Sequence, residues 1–332
     1  MPAEITKLTV AKELNRPEIF LSLARVPSSS RLFLGASDGK VYEVDPLAEK
    51  PEFKAHEGHS SFVTGVAIAG EVVISGSYDG KLIWRKIETG EMVRTVDAAH
   101  TRWIRKVVAS PDGKRVASVA DDMVCRVWDV ESGNRLHELR GHEERTANHF
   151  PSMLYTCAIS PDGRALATAD RVGQICVWDL AGGSKLQTLQ APGFYTWDEK
   201  QRIHSIGGIR SLAFSPDSKT LVAGGIGRIG NIDHLDGPAR VEAFDWEKGE
   251  KLHEFSGEGK GLIEHFVFDH ENRWLAGLGG DNGGLMQLYN VADKKILRSD
   301  KAPMHIHSAA LNETSDKLFA AGHGRVVVWD LA

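Results

Sequence analysis

The sequence predicts an all-β protein, a ring of seven four-stranded blades forming a β-propeller, and two observations carry that prediction. A unit recurs along the chain with a basal period of about 40 to 45 residues, the size of one propeller blade. Within the unit, short apolar runs alternate with period two and are cut by Pro, Asp and Gly turns, which is strand and hairpin chemistry. The clearest copies are residues 103–129, with Ser110-Pro111-Asp112-Gly113 and then Val127-Trp128-Asp129, and residues 154–179, with Ser160-Pro161-Asp162-Gly163 and then Val177-Trp178-Asp179. Alignment to these puts the first strands of the repeats near Phe20, Val63, Ile104, Leu154, Ile209, Ile263 and Ile306, spaced by 43, 41, 50, 55, 54 and 43 residues. Residues 1–332 therefore read as one domain, with blades starting near residues 19, 62, 103, 154, 209, 263 and 306.

Each element follows from local chemistry. In Ser-Pro-Asp-Gly, proline presets φ and glycine accepts the positive φ of a tight hairpin, so this turn joins the first two strands of a unit. Four antiparallel strands, a to d, complete it. The last repeat stops after strand c, and residues 5–11 alternate before the first strand a, so residues 1–12 are expected to supply the missing strand and close the ring.

Composition narrows the function. The chain is 42% hydrophobic and 26% charged, ordinary for a soluble domain, and a formal charge of −5 gives no positive field for a phosphate backbone. Neither nucleic acid nor a membrane is expected as a partner, since no stretch approaches the ~20 apolar residues of a span. Cys125, Cys157 and Cys176 lie in expected strands without metal-type spacing and read as small core residues. With no basic and apolar leader at Met1-Pro2-Ala3-Glu4, a cytoplasmic protein, monomeric on its own and without cofactors or metals, is expected.

The dipeptides Gly58-His59 and Gly141-His142, the lone His100 and the Trp-Asp pairs at 128, 178 and 329 resemble the WD-repeat family of β-propellers over practically the whole chain. The repeated Ser-Pro-Asp-Gly turns resemble those common in bacterial WD-repeat proteins. The resemblance implies a hydrogen-bonded set within a blade, made of a His before strand a, a Ser or Thr in strand b, an Asp in the b–c turn and a Trp in strand c. Only the third repeat carries a full set, His100, Ser118, Asp122 and Trp128; the fourth has His142, Thr168 and Trp178 but Val172 at the turn Asp position. The second has Asp79 with Trp84 one residue out of register, and the last keeps Trp329 with His323 at the turn position.

The three long spacings hold insertions at about residues 142–153, 191–208 and 226–240, all expected on the face that carries the d–a and b–c loops. Aromatic and Arg side chains on rigidly held loops suit recognition. The candidate partner-binding residues are Phe150, Tyr195, Trp197, Arg228 and His234, with Trp103 at the channel mouth beside Phe62; insertion aromatics also pack such loops onto themselves. Gly224-Gly225-Ile226-Gly227 and Gly279-Gly280 read as tight b–c turns. No Gly-x-Ser-x-Gly or HExxH motif is present. The expected function is a non-catalytic scaffold that binds a protein segment or peptide on that face. The alternative is a metal-assisted hydrolase using Asp233, His234, Asp236 and a neighbouring His149 or His204.

Overall fold

In the third repeat, the strands Ile104–Ala109, Arg115–Ala120, Val124–Asp129 and Arg135–Arg140 pair antiparallel in chain order, with Val116 opposite both Ala109 and Trp128. The two middle strands are buried on both faces and the last strand is largely exposed. The Ser-Pro-Asp-Gly turn forms as its chemistry dictates: Ser110 Oγ accepts the Arg115 N–H at 2.9 Å, Asp112 bonds Ser110 Oγ at 2.6 Å, and Gly113 takes φ 68°.

The structure is a computed structural model that describes residues 8–200, 204–230, 237–281 and 283–331. Five four-stranded antiparallel sheets begin at Val63–Ala69, Ile104–Ala109, Leu154–Ile159, Ile209–Phe214 and Leu262–Phe268. A sixth sheet has six strands, in the order Ile306–Leu311, Lys317–Leu331, Leu8–Arg25, Leu32–Ala36, Val41–Val44, Lys54–His56. The first strands of successive sheets touch in turn, and Ile306–Leu311 returns to Leu8–Arg25. The architecture is an all-β propeller. Among the described residues the only helical turn is the 3-10 segment Pro192–Phe194, and no helix is long and apolar enough to cross a membrane.

The core lies between sheets. One apolar cluster joins Leu166 and Trp178 of the fourth repeat to Val119 and Val127 of the third. Another joins Leu212, Leu221 and Phe244 of the fifth to Ile175 and Val177 of the fourth. Phe20, Leu34 and Tyr42 of the first pack on Phe319 and Val328 of the last. Each sheet thus removes its apolar faces from water only against its neighbours.

The sheet count departs from seven units. Among the described residues there are six main sheets and a two-stranded ribbon, because one strand, Leu8–Arg25, runs unbroken from the last unit into the first. Lys317–Leu331 pairs first with Ile306–Leu311 and then with the start of Leu8–Arg25, Val10 facing Trp329 and Asn15 facing Arg325. After an irregularity between Asn15 and Ile19, the same strand pairs Phe20 with Ala36. The part of the expected closing strand before Leu8 lies outside the described residues.

Two glycine readings change. Gly224 and Gly225 are buried within the strand Thr220–Ile226 rather than in a turn, and a Cβ on Gly224 would meet Phe266 of the next sheet at 2.5 Å. Gly279 is the last residue but one of the strand Leu275–Gly280, where a Cβ would collide with the Leu262 carbonyl. Both glycines permit close approach.

Deletion of residues 1–12 removes the partners of Val328, Trp329, Asp330 and Leu331. The unfolding midpoint should fall by about 5 °C or more, with aggregation, as read by differential scanning calorimetry.

Candidate functional site

In every repeat the pairing of strand a with strand b skips one residue, the one that follows Phe20, Val63, Ile104, Leu154, Ile209, Ile263 or Ile306. The skipped residues are Leu21, Thr64, Arg105, Tyr155, Arg210, Glu264 and His307. A β-bulge turns its side chain out of the normal alternation. Here it brings four of these side chains, Thr64, Arg105, Tyr155 and Glu264, against the first strand of the following repeat. Thr64 Oγ1 donates to the Ile104 carbonyl at 2.5 Å, and His307 Nδ1 lies 2.7 Å from Glu264.

Around this ring the aromatics and arginines form a ladder. Phe62 leans on Tyr78, and Tyr78 stacks on Trp103 at 4.6 Å and 2° between planes. The Arg105 guanidinium lies 4.9 Å from the Tyr78 ring, 5.3 Å from Trp103 and 5.7 Å from Tyr155, held by a bidentate pair to Asp121 at 2.9 and 2.6 Å. Arg210 sits 3.6 Å over Tyr155. Trp103 is 51% exposed and Phe62 45%, so the ladder ends in apolar surface open to water. Beside it a cavity of about 1000 Å³ runs from Tyr78, Trp103 and Asp121 to Arg145, Pro151 and Met153 in the first insertion.

Three histidine sets brace the loops behind this surface. Trp128 Nε1 donates to Ser118 Oγ at 2.9 Å, Ser118 meets His100 Nε2 at 2.7 Å, and His100 Nδ1 faces Asp122 at 3.1 Å. Burial lowers the His100 pKa, whereas the Asp122 carboxyl, which burial would raise, is held far down by His100 and Arg126. The fourth repeat completes its set in a different way. His142 Nδ1 meets Asp170 at 2.9 Å, and Thr168 Oγ1 accepts from Trp178 at 3.0 Å and lies 2.8 Å from His142 Nε2. Asp170, the last residue of strand b, stands two residues before Val172 in the turn, and its carboxylate reaches His142 while also accepting the Val172 and Gln174 N–H groups at 3.1 and 2.9 Å. Burial pushes His142 down, but Asp170 and Cys176 outweigh it and hold the imidazole at about 9.

In the second repeat His59 bridges Asp79 at 3.1 Å and Ser75 at 2.9 Å. Trp84 faces Ile74 rather than the set and leaves its buried indole N–H unpaired. Burial would raise Asp79, yet His59 and the Ser60 and Lys81 N–H groups bring it to about 2. Trp329 of the last repeat is buried, and His323 stacks at 5.0 Å on His305 instead of joining a set. Cys125, Cys157 and Cys176 are buried and unpaired.

The three insertions meet one another. Phe150 of the first packs on Trp197 at 5.0 Å and on His204 at 5.6 Å, both from the second. The second forms the ribbon Tyr195–Trp197 with Ser205–Gly207, where the Tyr195 hydroxyl meets Ser205 Oγ at 3.0 Å. Ile229 N–H of the third donates to Thr196 Oγ1 at 3.1 Å. Phe194 is fully buried, Phe150, Tyr195 and Trp197 are half-buried, and Arg228 is exposed. His234, with Asp233 and Asp236, lies outside the described residues.

Sequence reasoning missed the bulge residues. Their signal is positional, since the residue after the first apolar side chain of strand a is polar or aromatic in six repeats, all but the first. It also missed Glu264, His305 and His307, whose candidate ligand atoms all lie within 4.8 Å of one another. The triplet His305-Ile306-His307 was the available sign.

A ring of antiparallel sheets that bury their faces on one another defines a β-propeller, and the chain's repeats identify its kind. The family model WD40 (WD domain, G-beta repeat) matches residues 51–84, 90–129, 133–179 and 200–228, and the chain is a WD-repeat β-propeller. It is similar to the nuclear distribution protein PAC1-2 of Uncinocarpus reesii, 35% identical over 112 residues that cover 30% of this chain and 24% of that protein. It is likewise similar to PAC1 of Arthroderma otae, at 34% over 110 residues (30% of this chain, 23% of that protein). With nudF of Emericella nidulans it shares 35% identity over 103 residues, again 30% of this chain and 23% of the relative. The chain thus matches about a quarter of the length of these curated relatives.

Two outcomes test the histidine sets. Asp170→Ala leaves His142 buried without its carboxylate and should lower unfolding free energy by about 2–4 kcal/mol in denaturant titration. Asp79 has its folded pKa depressed from 3.8 to about 2, so its contribution is full above about pH 4 and is lost as pH falls through about 2. The midpoint deficit of Asp79→Asn against the parent should therefore close as pH is taken from about 5 to about 2.

Proposed function

We propose that this chain is a non-catalytic scaffold that binds a protein segment on the face formed by the bulge ring, Trp103 and the three insertions. The observation that carries this reading is the half-exposed Trp103, stacked on Tyr78 above a pinned Arg105 and bordered by a cavity that reaches the first insertion. Pre-ordered aromatic and Arg groups lose little entropy on binding and make anchors for a partner. In this reading Phe150, Tyr195, Trp197, Arg228 and His234 extend the surface beyond the cavity, and the packing of Phe150 on Trp197 stiffens it.

The same proposal takes the six-stranded sheet as two blades, giving seven, with the N-terminal strand completing the last. Seven first-strand bulges and the cycle of first-strand contacts support it. The similarity to proteins called nuclear distribution proteins fits a scaffold, over the share of the chain that matches. The hydrolase alternative rests on Asp233, His234 and Asp236, and no observation favours it.

Affinity capture from native lysate tests this function, comparing the parent with Trp103→Ala and with residues 226–240 replaced by a short Asp-Gly turn. A partner recovered roughly tenfold less with Trp103→Ala, at an unfolding midpoint within about 2 °C of the parent, is the expected result. Equal recovery by all three proteins would remove this face from the function.

A further inference from the structure

We propose that Glu264, His305 and His307 form a binding site for one divalent transition-metal ion of the borderline class, for which zinc is the reference probe. Two histidines and a carboxylate are a donor set that such ions take, with an open position for water or a partner's side chain.

The geometry carries this. The His305 and His307 rings lie 4.6 Å apart, and the His323 ring stands 5.0 Å from each. His305 Nδ1 lies 2.9 Å from the Asp281 carbonyl, which fixes its proton there and leaves the Nε2 lone pair turned inward. A metal-bound histidine is commonly oriented by just such a carbonyl. The His305 side chain is 8% exposed, and its Nε2 has no hydrogen-bond partner; neither has Nε2 of His307. Such an orphaned buried acceptor is unfavourable unless something satisfies it.

Glu264 approaches both rings. One oxygen is 2.7 Å from His307 Nδ1, while the other stands 3.7 Å from His305 Nε2, too far for a hydrogen bond. An ion seated between that oxygen and His305 closes this gap. Candidate ligand atoms within 4.8 Å need to draw in by about 1 Å to share an ion at about 2.1 Å. Rotation of the Glu264 and His307 side chains, 22% and 14% exposed, supplies that movement. The first-strand bulges at Glu264 and His307 create the juxtaposition, since each lifts one side chain out of its strand toward its neighbour. This inference is independent of the scaffold reading.

The test uses the whole untagged chain, stripped with chelator and titrated with zinc chloride by calorimetry. One ion per chain is expected, with affinity weakened by roughly tenfold or more in His305→Ala and in Glu264→Gln and unchanged in His204→Ala, which removes an imidazole in the second insertion. Cobalt(II) should give a visible ligand-field band with the parent that the His305→Ala and Glu264→Gln proteins lack. If those variants fail to fold, the parent alone decides, since saturating zinc must raise its unfolding midpoint. No saturable binding, no midpoint rise, or equal affinity in a folded His305→Ala/His307→Ala protein overturns the site.

Discussion

The antiparallel pairing of residues 8–15 with residues 325–331 is the contact on which the rest of this molecule depends. No sheet here can bury both faces by itself, and the apolar clusters are all shared between neighbours. A ring of such sheets loses an entire interface if it opens at any one place. The two chain ends supply opposite strands of one continuous ladder, so closure is held by main-chain hydrogen bonds as well as by Trp329 and Leu8 packed in the adjoining core.

Given a closed ring, the face that carries Trp103 is shaped by two local devices. A bulge near the start of the first strand of each repeat takes one side chain out of the normal alternation, which is how Arg105, Tyr155 and Arg210 come to stack although they are about 50 residues apart in sequence. The histidine sets then pin the entry loops from behind: His100 and His142 are almost fully buried, and each ties the chain before strand a to strands b and c. Between them, these devices make the mouth rigid and leave Trp103 standing on it.

Much of this was legible in the sequence, for reasons that are local. Period-two runs, Ser-Pro-Asp-Gly turns and Trp-Asp pairs announce a β-propeller, because each encodes strand or turn geometry within a few residues. What escaped depends on pairing. The fourth histidine set reads as incomplete at Val172, whereas Asp170 at the end of strand b caps that turn and meets His142 from two residues earlier. Gly224 and Gly225 looked like a turn, and only the approach of Phe266 from the next sheet shows why a strand needs them. The bulges leave no composition signal, so the Arg and Tyr ladder and the meeting of Glu264 with His307 required the register. The fusion of two units into a six-stranded sheet is likewise a matter of one strand running on without a break.

Native-state hydrogen exchange of the intact chain measures the closing ladder directly. The account predicts that the amides of residues 8–15 hydrogen-bonded to residues 325–331, and their partners, exchange only through global unfolding, as slowly as those of the buried strand Arg115–Ala120. Exchange of residues 8–15 as fast as the exposed turn at residues 131–134, with the other sheets still protected, would show that the ring holds without them and would contradict it.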